Sequence, residues 1–453
     1  MSEAVYHVPL QFACWECGTF KTSRWRKDGY DKLLCNACGV RLKQRGRRAT
    51  YYTSDAPSSG TSEGVTILQG IDSVDWASLQ HRHGHATDIP TWIKQLQYEY
   101  SGPRGSARAA ALAKLSDCLV HRGSHWEASP HAVPFLLKLL AEVRTPVRND
   151  IVHLLIDVAV GDPSDCQARI IDGIKSWRER AGETDWGLQS YDALRAGVPV
   201  LKTLMHQDPV PIVRSMCAFA LAWFPEAARI DTQDTLASLW RLIYKRRGYP
   251  SVKATATLAI GLLTAGLICL DSDGPPYMVD LETISRLLSL HSQVAIVSKV
   301  QWAAAKVLLD FGFEDSKVIE TVAKATVEID GGWETIIPYG KDIYGCSEFT
   351  LYSFAKRKTT SSTAVDAVVD ALSRSSGDVA ANIAAVAIYM TFRNSPQPLP
   401  AFGKLQDEQQ RVIQVIAAAS ETTWASAKLQ GKCHQHGLPC NRTAFRKYAM
   451  LTT

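Results

Sequence analysis

From about Asp88 onward, apolar residues recur three and four positions apart in short stretches separated by polar turns, the period of amphipathic helices. Several stretches begin alike: Ala107-Arg108-Ala109-Ala110-Ala111-Leu112, Val147-Arg148, Val213-Arg214-Ser215-Met216, Val252-Lys253-Ala254-Thr255, and Val297-Ser298-Lys299 leading into Ala303-Ala304-Ala305. These starts are separated by 40, 66, 39 and 45 residues, and apart from the one longer step the spacing suits two-helix repeats of about 40–47 residues. Pro146, Pro211 and Pro250 stand at three of the starts, where a helix tolerates a residue without an N–H. Neither helix of such a pair can bury its apolar face alone, so successive pairs are expected to stack into an α-solenoid with an extended concave surface. Residues 331–357, with Gly331-Gly332-Trp333 and Tyr339-Gly340, break the pattern and read as an insertion. Helical periodicity returns at Ala364–Leu372, Val379–Met390 and Glu408–Ala418, the last helices capping the array.

The first part of the chain has no such period. Residues 53–64 are small and polar with Pro57, Gly60 and Gly64, the composition of a flexible tether. The predicted organisation is an N-terminal tail at 1–12, a small cysteine module at 13–50, a flexible linker at 51–86, a helical array at 87–430 and a C-terminal tail at 431–453. The fold class is therefore mostly α. His81, His83 and His85 alternate at the end of the linker and read as a polar lead-in, with a metal site as the alternative. Trp126, Trp223, Trp302 and Trp333 are expected in packing between repeats rather than in a ligand cage.

Composition adds three points. With 453 residues, 46% of them apolar and 21% charged, the chain exceeds one ordinary domain and is not disordered, collagenous or disulfide-stapled. Ten Lys or Arg stand against four acids in residues 1–50, a net of +6, so the remaining residues carry −1 of the total +5. A preference for polyanions is thus concentrated at one end. Met1–Phe12 has no basic stretch leading into an apolar one, which speaks against a secretory signal. Ala254–Leu270 is apolar but carries Gly261, Gly266 and three threonines, and reads as a buried helix rather than a membrane span.

Candidate chemistry lies in the cysteine module. Cys14-Trp15-Glu16-Cys17 and Cys35-Asn36-Ala37-Cys38 are two C-x2-C knuckles, the arrangement of a closed tetrahedral zinc site. Four thiolates fill the coordination sphere and leave no position for water, so one structural Zn2+ is expected, supplying much of the module's folding free energy. A short helix is predicted from about Asn36 to Gln44, which puts Asn36, Val40 and Lys43 on one face. Such a stripe suits a major groove: an amide for a base edge, a valine for a thymine methyl, an ammonium for phosphate. At the other end of the chain, Cys433, His434, His436 and Cys440 offer four soft donors in eight residues, too compressed for an easy site, so that a polar tail is the preferred reading and a second zinc the alternative. The chain contains no P-loop, GxGxxG, G-x-S-x-G, HExxH or kinase motif, and no enzymatic activity is expected.

The string Cys17-Gly18-Thr19, Thr22-Ser23-Arg24-Trp25-Arg26, Gly29 and Leu34-Cys35-Asn36-Ala37-Cys38-Gly39, followed by a basic tail, resembles the GATA-type zinc finger over about Cys14 to Arg48. That resemblance implies zinc ligation by Cys14, Cys17, Cys35 and Cys38. It also implies contact with double-stranded DNA through Arg24, Arg26, Asn36, Val40, Arg41 and Lys43, with Arg45, Arg47 and Arg48 following the backbone or entering the minor groove. A GATA-like motif and a role in transcription in the nucleus, with possible presence in the cytoplasm, follow as expectations. Arg24, Val40, Arg41 and Glu16 depart from the residues usual in the family, which moves the expected balance toward charge-driven affinity or a variant motif. The array, with its Pro-then-Val-Arg/Lys starts and Ala222-Trp223-Phe224-Pro225-Glu226, resembles HEAT repeats through about Leu270, which implies protein partners. Some HEAT-like folds are DNA glycosylases, but a neutral-to-acidic array matches that poorly. The alternative to a DNA-binding regulator is an interaction scaffold whose finger binds protein.

Overall fold

The computed structural model describes residues 25–27, 33–35, 67–97, 106–121, 124–161, 177–179, 185–225, 229–246, 248–270, 281–292, 298–313, 315–327 and 362–450. Two short strands, β1 (Trp25–Lys27) and β2 (Leu33–Cys35), form an antiparallel hairpin. Among the described residues, a 3-10 turn at Ile71–Ser73 and a second hairpin, β3 (Gln80–His81) with β4 (Gly84–His85), precede the α-helices. There follow α1 (Ile89–Gln95) and α2 (Ser106–Leu119), then a third hairpin, β5 (Val120–His121) with β6 (Ser124–His125). Next come α3 (Ala128–Ala141), α4 (Arg148–Val160), α5 (Trp186–Ala196), α6 (Val198–Gln207) and α7 (Pro211–Leu221). The array continues with α8 (Arg229–Tyr244), α9 (Pro250–Leu270), α10 (Leu281–Ser292), α11 (Ser298–Asp310) and α12 (Ser316–Val327). After the undescribed residues 328–361 come α13 (Ser362–Ser373), α14 (Gly377–Phe392), α15 (Asp407–Ala418), α16 (Glu421–Trp424), α17 (Ala427–Gln435) and α18 (Arg442–Tyr448).

The repeated sequence starts mark one row of helices. Ala107, Val147, Val213, Val252 and Val297 stand at or next to the first residues of α2, α4, α7, α9 and α11, and each helix of this row packs on the next. Behind the row, α3 packs on α4, α6 on α7, α8 on α9 and α10 on α11. The longer step of 66 residues accommodates α5, which packs against both α3 and α4. A helix in the middle of the row touches neighbours on several sides and is apolar nearly all round: Met216 to Leu221 in α7 are buried without a break. Small side chains let the axes approach, as at Ala303, Ala304 and Ala305 in α11. At Gly261 of α9, an added Cβ would lie 2.6 Å from Val307 Cγ2 of α11, so only glycine fits. Thr255 and Thr257 are buried in α9, and the Thr257 hydroxyl donates to the Lys253 carbonyl at 2.9 Å, which satisfies it inside the helix.

The basic residues at two of the starts, Arg148 and Arg214, have a structural use. Arg148, at the first position of α4, donates to both carboxylate oxygens of Asp208 in the turn before α7, through Nη1 to Oδ2 and through Nη2 to Oδ1 at 3.1 Å. Both side chains are buried, at 4% and 0% exposure, and Asp208 also accepts from the Val210 N–H at 2.8 Å. One repeat later, the Arg214 guanidinium donates to the Asp208 carbonyl and lies 5.3 Å from the ring centre of Tyr249, in the turn before α9. Each cation thus reaches into the turn that opens the following helix, tying adjacent pairs in register.

Two predicted boundaries are corrected. The linker assigned to 51–86 ends earlier, because Leu68, Ile71, Trp76 and Ala86 are buried in the core that includes Phe135. The Trp76 indole N–H donates to the Ile71 carbonyl at 2.8 Å, and Lys138 donates to the Gln69 carbonyl at 2.8 Å. Three large apolar residues at irregular spacing carry no helical or strand period, so composition alone misses them. The tail assigned to 431–453 is folded through α17 and α18, whose Leu429, Cys433 and Phe445 are buried, as is Ala449 just beyond. Trp424 packs edge-on against Phe445 at 4.9 Å and the Tyr448 hydroxyl donates to the Pro400 carbonyl at 2.8 Å. These helices of nine and seven residues have two buried positions and one, too few to register as a period. The predicted insertion at 331–357 and the tether at 53–64 lie outside the described residues, though α12 and α13, on either side of the former, pack directly together. Trp223 and Trp302 are buried, as packing residues are, and Trp333 lies outside the described residues.

Candidate zinc finger and nucleic-acid interface

The hairpin of β1 and β2 is the described part of the cysteine module. Its register pairs Trp25 with Cys35, Arg26 with Leu34 and Lys27 with Leu33. Cys35 is the last residue of β2, so the chain enters the second knuckle directly from the hairpin. The register also sets Arg26 in a strand beside the segment that leads into Asn36. Cys14, Cys17, Cys38, Arg24, Asn36, Val40, Arg41, Lys43, Arg45, Arg47 and Arg48, and with them the predicted helix from Asn36, lie outside the described residues. The donor set of the two knuckles fits zinc: four cysteines at paired C-x2-C spacing, with one of them fixed at a hairpin end.

The other cysteines contrast with these. Cys118, Cys217 and Cys433 are buried singly, and burial pushes the thiols up, to about 11 for Cys118 and about 12 for Cys433. For Cys217 burial raises the thiol further, so all three are protonated packing groups rather than thiolate ligands. Among the described residues no group of three His, Cys, Asp or Glu side chains could hold a metal ion. The four soft donors near the C-terminus are used differently: Cys433 and His436 are buried, burial holds the His436 imidazole below its ordinary value, and its ring meets Tyr389 edge-on at 6.1 Å. Cys440 Sγ lies 3.6 Å from the Leu438 carbonyl. His434 is exposed.

The alternating histidines fasten a hairpin. Buried His81 bonds Asp88 at 3.1 Å, His83 bonds Asp117 of α2 at 2.8 Å, and Gln80 meets His85 at 3.1 Å. Arg82 donates to the same Asp117, and His121 stands 3.3 Å from it. The hydrogen bond from His83, with Arg82 and His121 adding charge, holds the Asp117 carboxyl below its ordinary value.

One surface of the array went unread in the sequence. A cavity of about 360 Å³ opens between α16 and α18, lined by Glu421, Trp424, Ala425, Arg442, Thr443 and Arg446. Charge counting by segment would have pointed to it, since residues 421–450 hold five Lys or Arg and a single acid.

Comparison with known proteins bears on the finger. No helix among the described residues is long and apolar enough to cross a membrane. A search of curated proteins finds no match. Among solved structures, the crystal structure of Uso1-2 is similar at 11% identity over 80% of this chain and 70% of that one, with a TM-score of 0.25, too low to carry any argument. The GATA zinc finger family model matches residues 14–48 and contains both cysteine knuckles, so that at the family level this segment is a zinc-binding finger of the kind used in DNA-binding transcription regulation.

Proposed function

We propose that this protein is a zinc-dependent, sequence-specific DNA-binding regulator of transcription, acting in the nucleus, whose helices form a HEAT-like α-solenoid that receives protein partners. The observation that carries the reading is the family match at residues 14–48 with all four ligand cysteines in place. Cys14, Cys17, Cys35 and Cys38 hold one zinc ion. When bound, the metal supplies a closed cross-link between the two knuckles and no open coordination position. The chain's own residues then do the recognition. Asn36 and Val40 offer an amide and a methyl pair to base edges, while Arg24, Arg26, Arg41 and Lys43 supply cations around them. Arg45, Arg47 and Arg48 neutralise phosphates and add affinity without selecting sequence. Row-and-partner packing from α2 to α11 supports the solenoid reading, since among the described residues each pair packs mainly on its neighbours. We assign no catalytic role to the chain.

The test is selection of the zinc-loaded full chain on a randomised duplex library at two salt concentrations, with Cys35→Ser as control. Enrichment of a GATA-like core, lost in the control, is the expected result. The second reading, a scaffold whose finger binds protein, predicts no enriched motif and no salt-dependent binding, whereas the departures at Arg24, Val40 and Arg41 favour a variant motif or salt-dependent binding without an enriched one.

A further inference from the structure

The charge of the helical part is not uniform. Residues 51–420 hold 35 Lys or Arg against 40 Asp or Glu, whereas residues 421–450 hold Lys428, Lys432, Arg442, Arg446 and Lys447 against Glu421 alone. An acidic middle is therefore flanked by a basic finger and a basic end helix group. At that end Arg442 and Arg446, one turn apart on α18, both line the open cavity of about 360 Å³ with Thr443. Trp424 forms an apolar wall, its indole N–H already committed to the Ile416 carbonyl at 3.1 Å. The Arg442 Nε–H is shielded from solvent and finds no hydrogen-bond partner among the described residues. Its Nη1 reaches only Glu421 at 3.3 Å, a carboxylate that is 89% exposed, and such surface pairs are weak. Two guanidiniums beside a cavity with a hydroxyl and one loosely held acid match the oxygens of a phosphodiester, which an arginine fork binds with two parallel bonds.

We infer that the surface of α16 and α18, centred on Arg442 and Arg446, is a second contact for the phosphate backbone of duplex DNA, used together with the finger. This rests on the DNA-binding reading of residues 14–48. The two contacts divide the work: the finger reads bases, and the end surface adds sequence-independent affinity while the acidic middle stands away from the polyanion.

The experiment measures affinity of the zinc-loaded full chain for a duplex carrying the selected motif, and for a scrambled duplex, across a salt series. Each phosphate contact contributes about 0.9 to the slope of log K against log salt. Arg442→Gln/Arg446→Gln should lower the slope by about 2 and weaken both duplexes equally, on the order of tenfold at moderate salt. Arg442→Lys/Arg446→Lys, which keeps the charge, should restore most of the slope. In the wild-type chain, which avoids any effect of substitution on folding, duplex DNA should slow phenylglyoxal modification of Arg442 and Arg446 in peptide maps. An unchanged slope in a folded Gln variant, or no protection of these arginines, would overturn the inference while leaving the finger reading intact. Absence of any binding by the wild-type chain would overturn both.

Discussion

The buried Arg148–Asp208 pair allows a quantitative test of how adjacent helix pairs are held. Both side chains are out of solvent, and two hydrogen bonds join them, with a third from the Val210 N–H to Asp208. Asp208→Ala leaves the guanidinium buried without its carboxylate and frees the Val210 N–H. Arg148→Met leaves the carboxylate buried with only that N–H. Removing one partner of a buried pair costs about 3–5 kcal/mol, because the remaining charge keeps its desolvation penalty and loses its compensation. Replacing both by apolar residues removes the two penalties together, so Arg148→Met/Asp208→Leu should cost less than either single change. Equilibrium urea unfolding of the full chain, followed by circular dichroism, reads the effect, with the transition of the segment around α4 and α7 resolved by hydrogen exchange because long arrays need not unfold in one step. The double-mutant cycle decides the matter. Single changes that cost under about 1 kcal/mol, or a double variant whose cost is the sum of the singles, would refute the claim that this pair acts as one buried unit.

Other expectations follow from particular contacts. Gly261→Ala should lower the melting temperature, because the new Cβ meets Val307 at 2.6 Å; overpacking costs about 1–3 kcal/mol against a helix-propensity gain of at most about 1, and Val307→Ala in the same chain should return the loss. Cys35→Ser should reduce bound zinc from one ion per chain to none, read by metal analysis, while leaving the melting of the helical array unchanged. Cys433, with its thiol pushed up to about 12, should react with a thiol reagent at pH 8 only as fast as the chain opens, so that labelling mapped by mass spectrometry tracks the urea transition. Asp117 has a lowered native pKa, so its contribution to the β3–β4 hairpin is complete above the ordinary value of 3.8 and is lost as pH falls through the native value. Asp117→Asn should remove that contribution already at neutral pH, read as faster amide exchange in Gln80–His85, and exchange equal to wild type would exclude this fastening.

What the sequence by itself determined is the material with short-range or periodic signatures. Four cysteines at C-x2-C spacing define a donor set whatever the surrounding chain does, because each pair lies within one turn. The Val-Arg/Lys starts and their spacing located the helices of one row, because a helix that faces neighbours on several sides must repeat its small and apolar residues at fixed offsets. Only the tertiary structure decided what each start is for. Arg148 and Asp208 are sixty positions apart, and nothing local in either segment distinguishes an inter-repeat pair from two solvated charges. The same holds for Gly261, which resembles a helix-weakening residue until Val307 of α11 is seen against it. Leu68, Ile71 and Trp76 lie in a stretch without period, and their burial depends on the surface of α3 rather than on their own order. The basic cavity at Arg442 and Arg446 needed both kinds of information: the charge excess is written in the chain, but its setting around a cavity is produced by short helices that fold only because α14 and α15 lie beneath them.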